Sequence, residues 1–326
     1  WTETTPCTVC GAVAVAKVEK DSATTLVDKA AFLNAFKDST NNGVTITMLN
    51  DVELAGNESI RSSCSYTLDL NGHTISQPVA APYTFSIGSG TVTIKDSGTG
   101  GKIESPNITI EVNSGTLSIK SGTVSGYWGV EISGGTVAIS GDAVISGGDT
   151  GLRVTGAGKA TLSGGTFSGT DAITANNYGS VTLKNLLAEG YAYHRNNLPV
   201  TKAEGWVDSN TWGEVSLDTK ATLTGTVTVK KCNHTGEGVC EYTPNEGAET
   251  HDMTCLACGY AGAAESCAYS DDYGHDETNH WQTCTLCGGK KTEAHTYGSW
   301  TPEHNKNAIT IRRSCENCGY TKTDGT

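Results

Sequence analysis

Several things are scarce in this sequence. Only 17% of its 326 residues are charged, phenylalanine occurs four times, and its 22 basic residues never gather into a Lys/Arg-rich run. A chain with net charge -13 and no basic stretch does not offer a nucleic-acid surface. No apolar run reaches the roughly 18 residues that a bilayer-spanning helix needs, and neither an initiator Met nor a signal peptide is present. The sequence therefore reads as a piece of a longer protein. HExxH motifs, phosphate loops and a Ser-His-Asp order are also missing, which removes the commonest hydrolase and nucleotide-binding signatures. What is plentiful is glycine, at 40 residues, with Thr, Ser and Val, the composition that stacked strands and tight corners require.

Between Thr91 and Leu187 a short pattern returns about every 20 to 25 residues. Its first line is Val92-Thr-Ile94, Leu117-Ser-Ile119, Val137-Ala-Ile139, Ala160-Thr-Leu162 and Val181-Thr-Leu183. Interleaved with it run Ile110-Glu-Val112, Val130-Glu-Ile132, Leu152-Arg-Val154 and Ile173-Thr-Ala175. Both lines alternate apolar and polar residues and are punctuated by Gly-containing turns. One such unit cannot bury its apolar row alone, so neighbours must stack. The pattern predicts a parallel β-helix with two or three short strands per coil. A β-sandwich does not require the triplets and corners to keep one common period.

Upstream, Val44-Thr-Ile-Thr-Met-Leu49 and Tyr66 to Ile75 extend the same phase, with Val44, Leu68 and Val92 falling in step. An apolar strand (Ala12 to Val18) and an amphipathic helix, about Leu26 to Asp38, precede them, and the helix is placed to cap the open end. Cys64 reads as a small buried apolar residue. After Leu183 the period breaks, and the next comparable strand is Val215-Ser-Leu217. Leu198-Pro-Val-Thr-Lys202 stops one residue short of a wall-anchoring LPxTG signal and reads as coincidence.

The helix followed by VTITMLNDVEL and TLDLNGHTIS resembles the opening of secreted or surface-attached right-handed parallel β-helix proteins of Firmicutes. The resemblance covers about residues 24–230. It implies a mainly β, right-handed solenoid and an extracellular or bacterial cell-surface setting, and leaves activity open, because that architecture hosts lyases, hydrolases and adhesins alike.

From Cys232 the character changes. His251-x3-Cys255-x2-Cys258-Gly returns as His280-x3-Cys284-x2-Cys287-Gly, and Cys315-x2-Cys318-Gly keeps the thiol pair without the nearby histidine. Cys240, Cys267 and His295 each open a Cys/His-x-Tyr triplet. Two thiolates on one tight turn, a His and one further Cys or His satisfy tetrahedral zinc. The fourth ligand is open: following residues give His251/Cys255/Cys258/Cys267 and His280/Cys284/Cys287/His295, preceding ones Cys240/His251/Cys255/Cys258 and Cys267/His280/Cys284/Cys287. A disulfide framework is the competing reading in an extracellular protein. Either cross-link would stabilise a segment with too few aliphatic residues for its own core. A structural metal leaves no ligand position for chemistry. The segment resembles the His/Cys repeats with CxxCG and Trp signatures of Firmicutes surface proteins, over about residues 232–320. The chain thus divides into a remnant of a preceding Cys-rich unit (1–11), a strand and capping helix (12–43), a solenoid (44–231) and Cys/His-rich repeats (232–326).

Two places could carry function. Glu111, Glu131, Arg153 and Thr174 point outward on successive coils about 4.8 Å apart, near the carboxylate spacing of retaining glycosidases, though a solvated ladder explains them as well. The interruption after Leu187 is rich in Tyr191, Tyr193, His194, Arg195, Trp206 and Trp212, side chains that dominate binding hot spots. It is either a contact surface or a plug for the end of the solenoid. The reading placed first is a monomeric, non-catalytic surface binding module or adhesin. Its partner would be a host glycoprotein, an immunoglobulin or a glycan, with gut surface proteins as the analogy. A glycan-cleaving enzyme using Glu111, Glu131 and Arg153, and a structural spacer, are the alternatives.

Overall fold

The computed structural model describes the chain except residues 1, 3, 4, 9, 10, 57, 80, 177–186, 189, 196, 197, 201–219, 235–237, 306, 307 and 326. Its contacts divide it into Trp1–Val239 and Cys240–Thr326.

The first unit is a parallel β-solenoid of about six turns. Three lines of strands run its length. In the first, Val92, Leu117, Val137 and Ala160 stack in register, as do Ile94, Ile119, Ile139 and Leu162. In the second, Ile60, Phe85, Ile110, Val130, Leu152 and Ile173 form one inward column. Both follow the period-two pattern of the sequence, because alternate side chains of a strand point to opposite faces. Upstream the register differs from the sequence reading by two residues: Tyr66, not Leu68, pairs with Val44 and Val92. The third line is short. It contributes a single column, Val52, Ile75, Ile103, Val124, Ile145 and Phe167. These columns are almost wholly buried and, with Cys64, form one continuous core.

One corner between lines is built of glycine on successive coils. A Cβ on Gly115 would sit 2.7 Å from the Gly90 carbonyl oxygen, and one on Gly135 would sit 2.5 Å from that of Gly115. Their φ angles of 75° and 69° add a second reason why no other residue fits.

At the N-terminal end, strand Ala16–Lys20 runs antiparallel to both Ala23–Val27 and Val44–Met48, which ends parallel stacking there. The helix is Lys29–Ala35, shorter than the sequence suggests, and Leu26 belongs to a strand instead. Asp28 fixes the start by accepting the Ala31 amide at 2.9 Å. Phe32 and Phe36 are fully buried, and Phe36 meets Tyr66 and Phe85 edge-on at 5.1 and 5.5 Å, plugging the core. At the other end Lys220–Lys231 lies antiparallel to the last coil, and Tyr191–Arg195 lies antiparallel to Lys220–Lys231.

The second unit consists of three small antiparallel modules: Cys240–Pro244, Thr250–Cys255 and Glu265–Ser266; Tyr269–His275, Asn279–Cys284 and Lys290–Ala294; and Thr301–Asn305, Ala308–Ser314 and Thr321–Gly325. In each, a Cys-x2-Cys-Gly turn joins the second strand to the third.

Candidate metal centres and the outward faces of the solenoid

Each turn is a tight knuckle. The Cys284 amide bonds the Gly289 carbonyl at 2.7 Å and the Gly288 amide bonds Cys284 O at 3.0 Å; the corresponding pairs at Cys315 measure 2.8 and 3.0 Å. Amides also point at sulfur: Gly289 N–H to Cys287 Sγ at 3.3 Å and Tyr320 N–H to Cys318 Sγ at 3.5 Å.

Four donors gather at each of two points. His251, Cys267, Cys284 and Cys287 form one group, and His280, His295, Cys315 and Cys318 the other; within each, all ligand atoms lie within 4.8 Å of one another. His251 Nδ1 is 3.5 Å from Cys267 Sγ and 3.7 Å from Cys284 Sγ, and the Cys267 and Cys287 sulfurs are 3.8 Å apart. In the second group His280 Nδ1 is 3.7 Å from Cys315 Sγ, and His295 Nδ1 is 3.5 Å from Cys318 Sγ. These groups could hold a metal ion.

The grouping corrects every set drawn from sequence spacing. His251 does not share a centre with Cys255 and Cys258, nor His280 with Cys284 and Cys287. Each histidine lies on the strand leading to its knuckle, four residues before the first cysteine. At about 3.3 Å per residue that strand carries the two some 13 Å apart. The histidine therefore reaches forward to the next module's knuckle. Cys267 and His295, in the linkers between modules, complete the two sets. Cys315 and Cys318, which carry no nearby histidine in sequence, receive two from upstream. At the equivalent position the third module has Ile311.

The electrostatics suit a cation. Burial opposes ionisation of Cys284, but the amides of Cys287 and Leu286 and the neighbouring thiols more than offset it and bring the thiol to about 6. Cys315 likewise comes to about 6, with the Cys318 amide and the His295 side chain outweighing burial. Cys267, pressed by burial and by Cys284 and Cys287, is pushed up to about 11. Within each cluster the shifts thus favour ionisation of one thiol and oppose that of its neighbour. His295 is also oriented for ligation: its Nε2–H donates to the Asp276 carbonyl at 2.9 Å, leaving the Nδ1 lone pair toward the sulfurs. The buried His251 Nε2 has no partner among the described protein atoms.

On the solenoid, Glu111, Glu131, Arg153 and Thr174 occupy successive rungs of the second line. Arg153 is ion-paired to Glu131 and lies over the Trp128 ring at 4.2 Å. Trp128 Nε1–H donates to Asp149 at 2.9 Å. Glu111 accepts from Asn113 at 2.8 Å and Ser86 at 3.3 Å. Both carboxylates are thereby engaged along the ladder. Beside it, Tyr127 is half exposed, its ring 5.8 Å from that of Trp128. It borders a shallow cleft of about 650 Å³ that includes Glu53, Gln77, Pro78, Glu104 and Pro106. Sequence reasoning missed this aromatic corner, because Tyr127-Trp128 interrupts the alternation instead of continuing it.

The aromatic insertion is only partly a surface. Tyr193 and His194 are buried at 1% and 2% exposure, while Tyr191 and Arg195 are half-buried. Burial lowers the His194 pKa, the bond to the Ala192 carbonyl opposes it, and the charge of Lys230 lowers it further. Tyr193 joins the core, so this strand acts as a plug for the end of the solenoid. Trp206 and Trp212 lie outside the described residues.

Comparison with protein-family models, curated proteins and solved structures gave no match. Among the described residues no helix is long and apolar enough to cross a membrane.

Proposed function

We propose that the chain is a non-catalytic surface module of an extracellular protein, in which the solenoid presents a glycan-binding corner and zinc ties the tail modules together. The observation that carries the binding reading is the half-exposed Tyr127 beside Trp128 at the cleft. An exposed ring offers a flat apolar face to a pyranose, and adjacent carboxylates accept hydrogen bonds from its hydroxyls. Glu53 and Glu104 disfavour acidic sugars, so a neutral glycan of a host glycoprotein is the fitting ligand. The engagement of Glu111 and Glu131 along the ladder weighs against glycosidase chemistry at that face.

Zinc is supported by metrics. Tetrahedral coordination with Zn–S of about 2.3 Å and Zn–N of about 2.0–2.1 Å separates two sulfurs by about 3.8 Å and sulfur from nitrogen by about 3.5 Å. The corresponding separations are 3.8 Å for Cys267–Cys287 and 3.5 to 3.7 Å for His251 to its thiols. With four protein donors, such an ion has no open position and is structural.

The test is glycan-array binding by the whole chain and by Tyr127→Ala. The expected result is recognition of neutral glycans that the variant loses at least tenfold, with its melting temperature unchanged. Equal binding by both proteins would move the contact elsewhere.

A further inference from the structure

A separate cleft, of about 620 Å³, opens at the N-terminal end of the solenoid between the capping helix and the segment that enters strand Ile60–Ser62. The helix makes one wall because its two faces differ. Phe32, Ala35 and Phe36 are buried in the core, which leaves Ala30, Leu33 and Asn34 for the outer side. The Lys37 amide bonds Asn34 O at 3.0 Å, so the chain keeps turning past Ala35 and Lys37 joins the same wall. The other wall includes Ser59 and Arg61.

The charge of this cleft is opposite to that of the whole chain. Three cations, Lys29, Lys37 and Arg61, line it with one carboxylate, Glu58, in a protein of net charge -13. Glu58 is already engaged: it pairs with Lys29 at 2.8 Å and accepts the Ala55 amide at 2.7 Å. Asp38, next to Lys37 in sequence, accepts instead from the amide and hydroxyl of Thr40, at 2.9 and 2.7 Å. Lys37 and Arg61 are exposed and have no ion-pair partner among the described residues. Arg61 is braced all the same. It stands one rung before Ser86 on the outward face of the second line, and its guanidinium lies over the Tyr83 ring at 5.6 Å. The first carboxylate further along that face, Glu111, takes the Ser86 hydroxyl at 3.3 Å.

We propose that this cleft is an anion-selective sugar subsite, in which Lys37 and Arg61 take the carboxylate or sulfate of an acidic glycan residue. Two uncompensated cations from the two walls give one anionic group partners on both sides, and the Arg61 fork can hold two of its oxygens. The volume falls within the roughly 300–1,000 Å³ of small-ligand clefts. Ala30 and Leu33 offer an apolar floor to a sugar ring, and Asn34 and Ser59 can hydrogen-bond its hydroxyls. Leu33, the one large apolar side chain of the cleft, is half-buried and gives a lipid surface little to hold. The cleft at Tyr127 has the reverse character, with Glu53 and Glu104 and no Lys or Arg. The solenoid thus sorts neutral from acidic sugars at separate places. The inference shares with the proposed function the premise of a glycan-binding solenoid and uses none of its contact residues.

The experiment is calorimetric titration of the full chain with sialyllactose, sulfated lactose and plain lactose. Wild type should bind both acidic sugars about tenfold or more tightly than lactose, with an affinity that falls as salt rises. Lys37→Gln and Arg61→Gln should each weaken that binding about tenfold, and the double variant should lose it. Melting temperatures should stay unchanged, because both side chains are exposed. Tyr127→Ala should bind the acidic sugars as wild type does. Equal affinity for lactose, or acidic-sugar binding that survives the double variant, would overturn the inference. So would tighter binding to phosphatidylserine vesicles or to a polyglutamate peptide, which would make the cleft a charged patch without sugar selectivity. If neutral glycans are still lost by Tyr127→Ala, such a failure leaves the Tyr127 reading standing; if they are not, glycan binding is removed from both clefts.

Discussion

His251 and Cys284 lie 33 residues apart on different modules, yet His251 Nδ1 is 3.7 Å from Cys284 Sγ. The contact assigns each knuckle to the histidine of the preceding module. Cys287→Ser should therefore unload the centre that contains His251, whereas Cys258→Ser should leave it loaded. Visible absorption of the cobalt-substituted protein distinguishes the two variants. Structural zinc contributes on the order of 10 kcal/mol or more to small folds. Chelation should accordingly release the modules to rapid hydrogen exchange, while the solenoid, which draws on its own apolar core, melts as before.

Tyr193 supplies a second prediction. It is buried at the end of the core, so Tyr193→Ala should cost about 3–5 kcal/mol, as removal of a buried aromatic side chain does. Thermal or denaturant unfolding measures it. Glycan binding by the folded fraction should persist, which separates a plug from a contact surface.

These sites show what could be read from sequence. The first two strand lines were legible because each coil alternates inward and outward residues, and Leu117-Ser-Ile119 announces its own periodicity. The third line was not. It offers one inward residue per coil, such as Ile75 or Ile103, and a single residue has no period. The metal donors were identifiable by type, but their grouping was not, because sequence proximity was taken for proximity in space. The strand geometry of His251 to Cys255 could have signalled the error.

Asp69, in the TLDLNGHTIS segment, gives a pH prediction. Burial raises its pKa, but the Ser97 amide, Lys95 and the Asn71 amide outweigh burial and leave it lowered. The Asp69 carboxylate accepts the Ser97 amide at 2.9 Å and pairs with Lys95 at 2.9 Å. A lowered folded-state pKa means stability fully present above the unfolded value of about 3.9 and lost as pH falls through the folded one. Asp69→Asn should cost about 1.5–3 kcal/mol at pH 7, and the difference should vanish in strong acid. Denaturation midpoints across pH 2–7 would show it.

Glu131 has the opposite sign. Burial raises its pKa, Arg153 lowers it, Glu111 raises it again, and the net shift is upward. The folded state then holds the proton more tightly, so this group's contribution is present below about pH 4.3 and declines as pH rises. Glu131→Gln should gain stability at pH 7, by less than about 1 kcal/mol for a half-buried group, with no gain near pH 3.5. A loss at pH 7 would mean that the Arg153 pair dominates.

The two mixed centres have donors that interleave along the chain. One spans the chain from His251 to Cys287 and the other from His280 to Cys318, so the spans overlap between His280 and Cys287. With a metal ion in each, every peptide bond from His251 to Cys318 would lie inside at least one metal-closed ring. A single proteolytic cut anywhere in that stretch would then leave both fragments attached through an ion. The loaded tail would behave as linked rings: one cut in its backbone would not release it, whereas loss of the metal would.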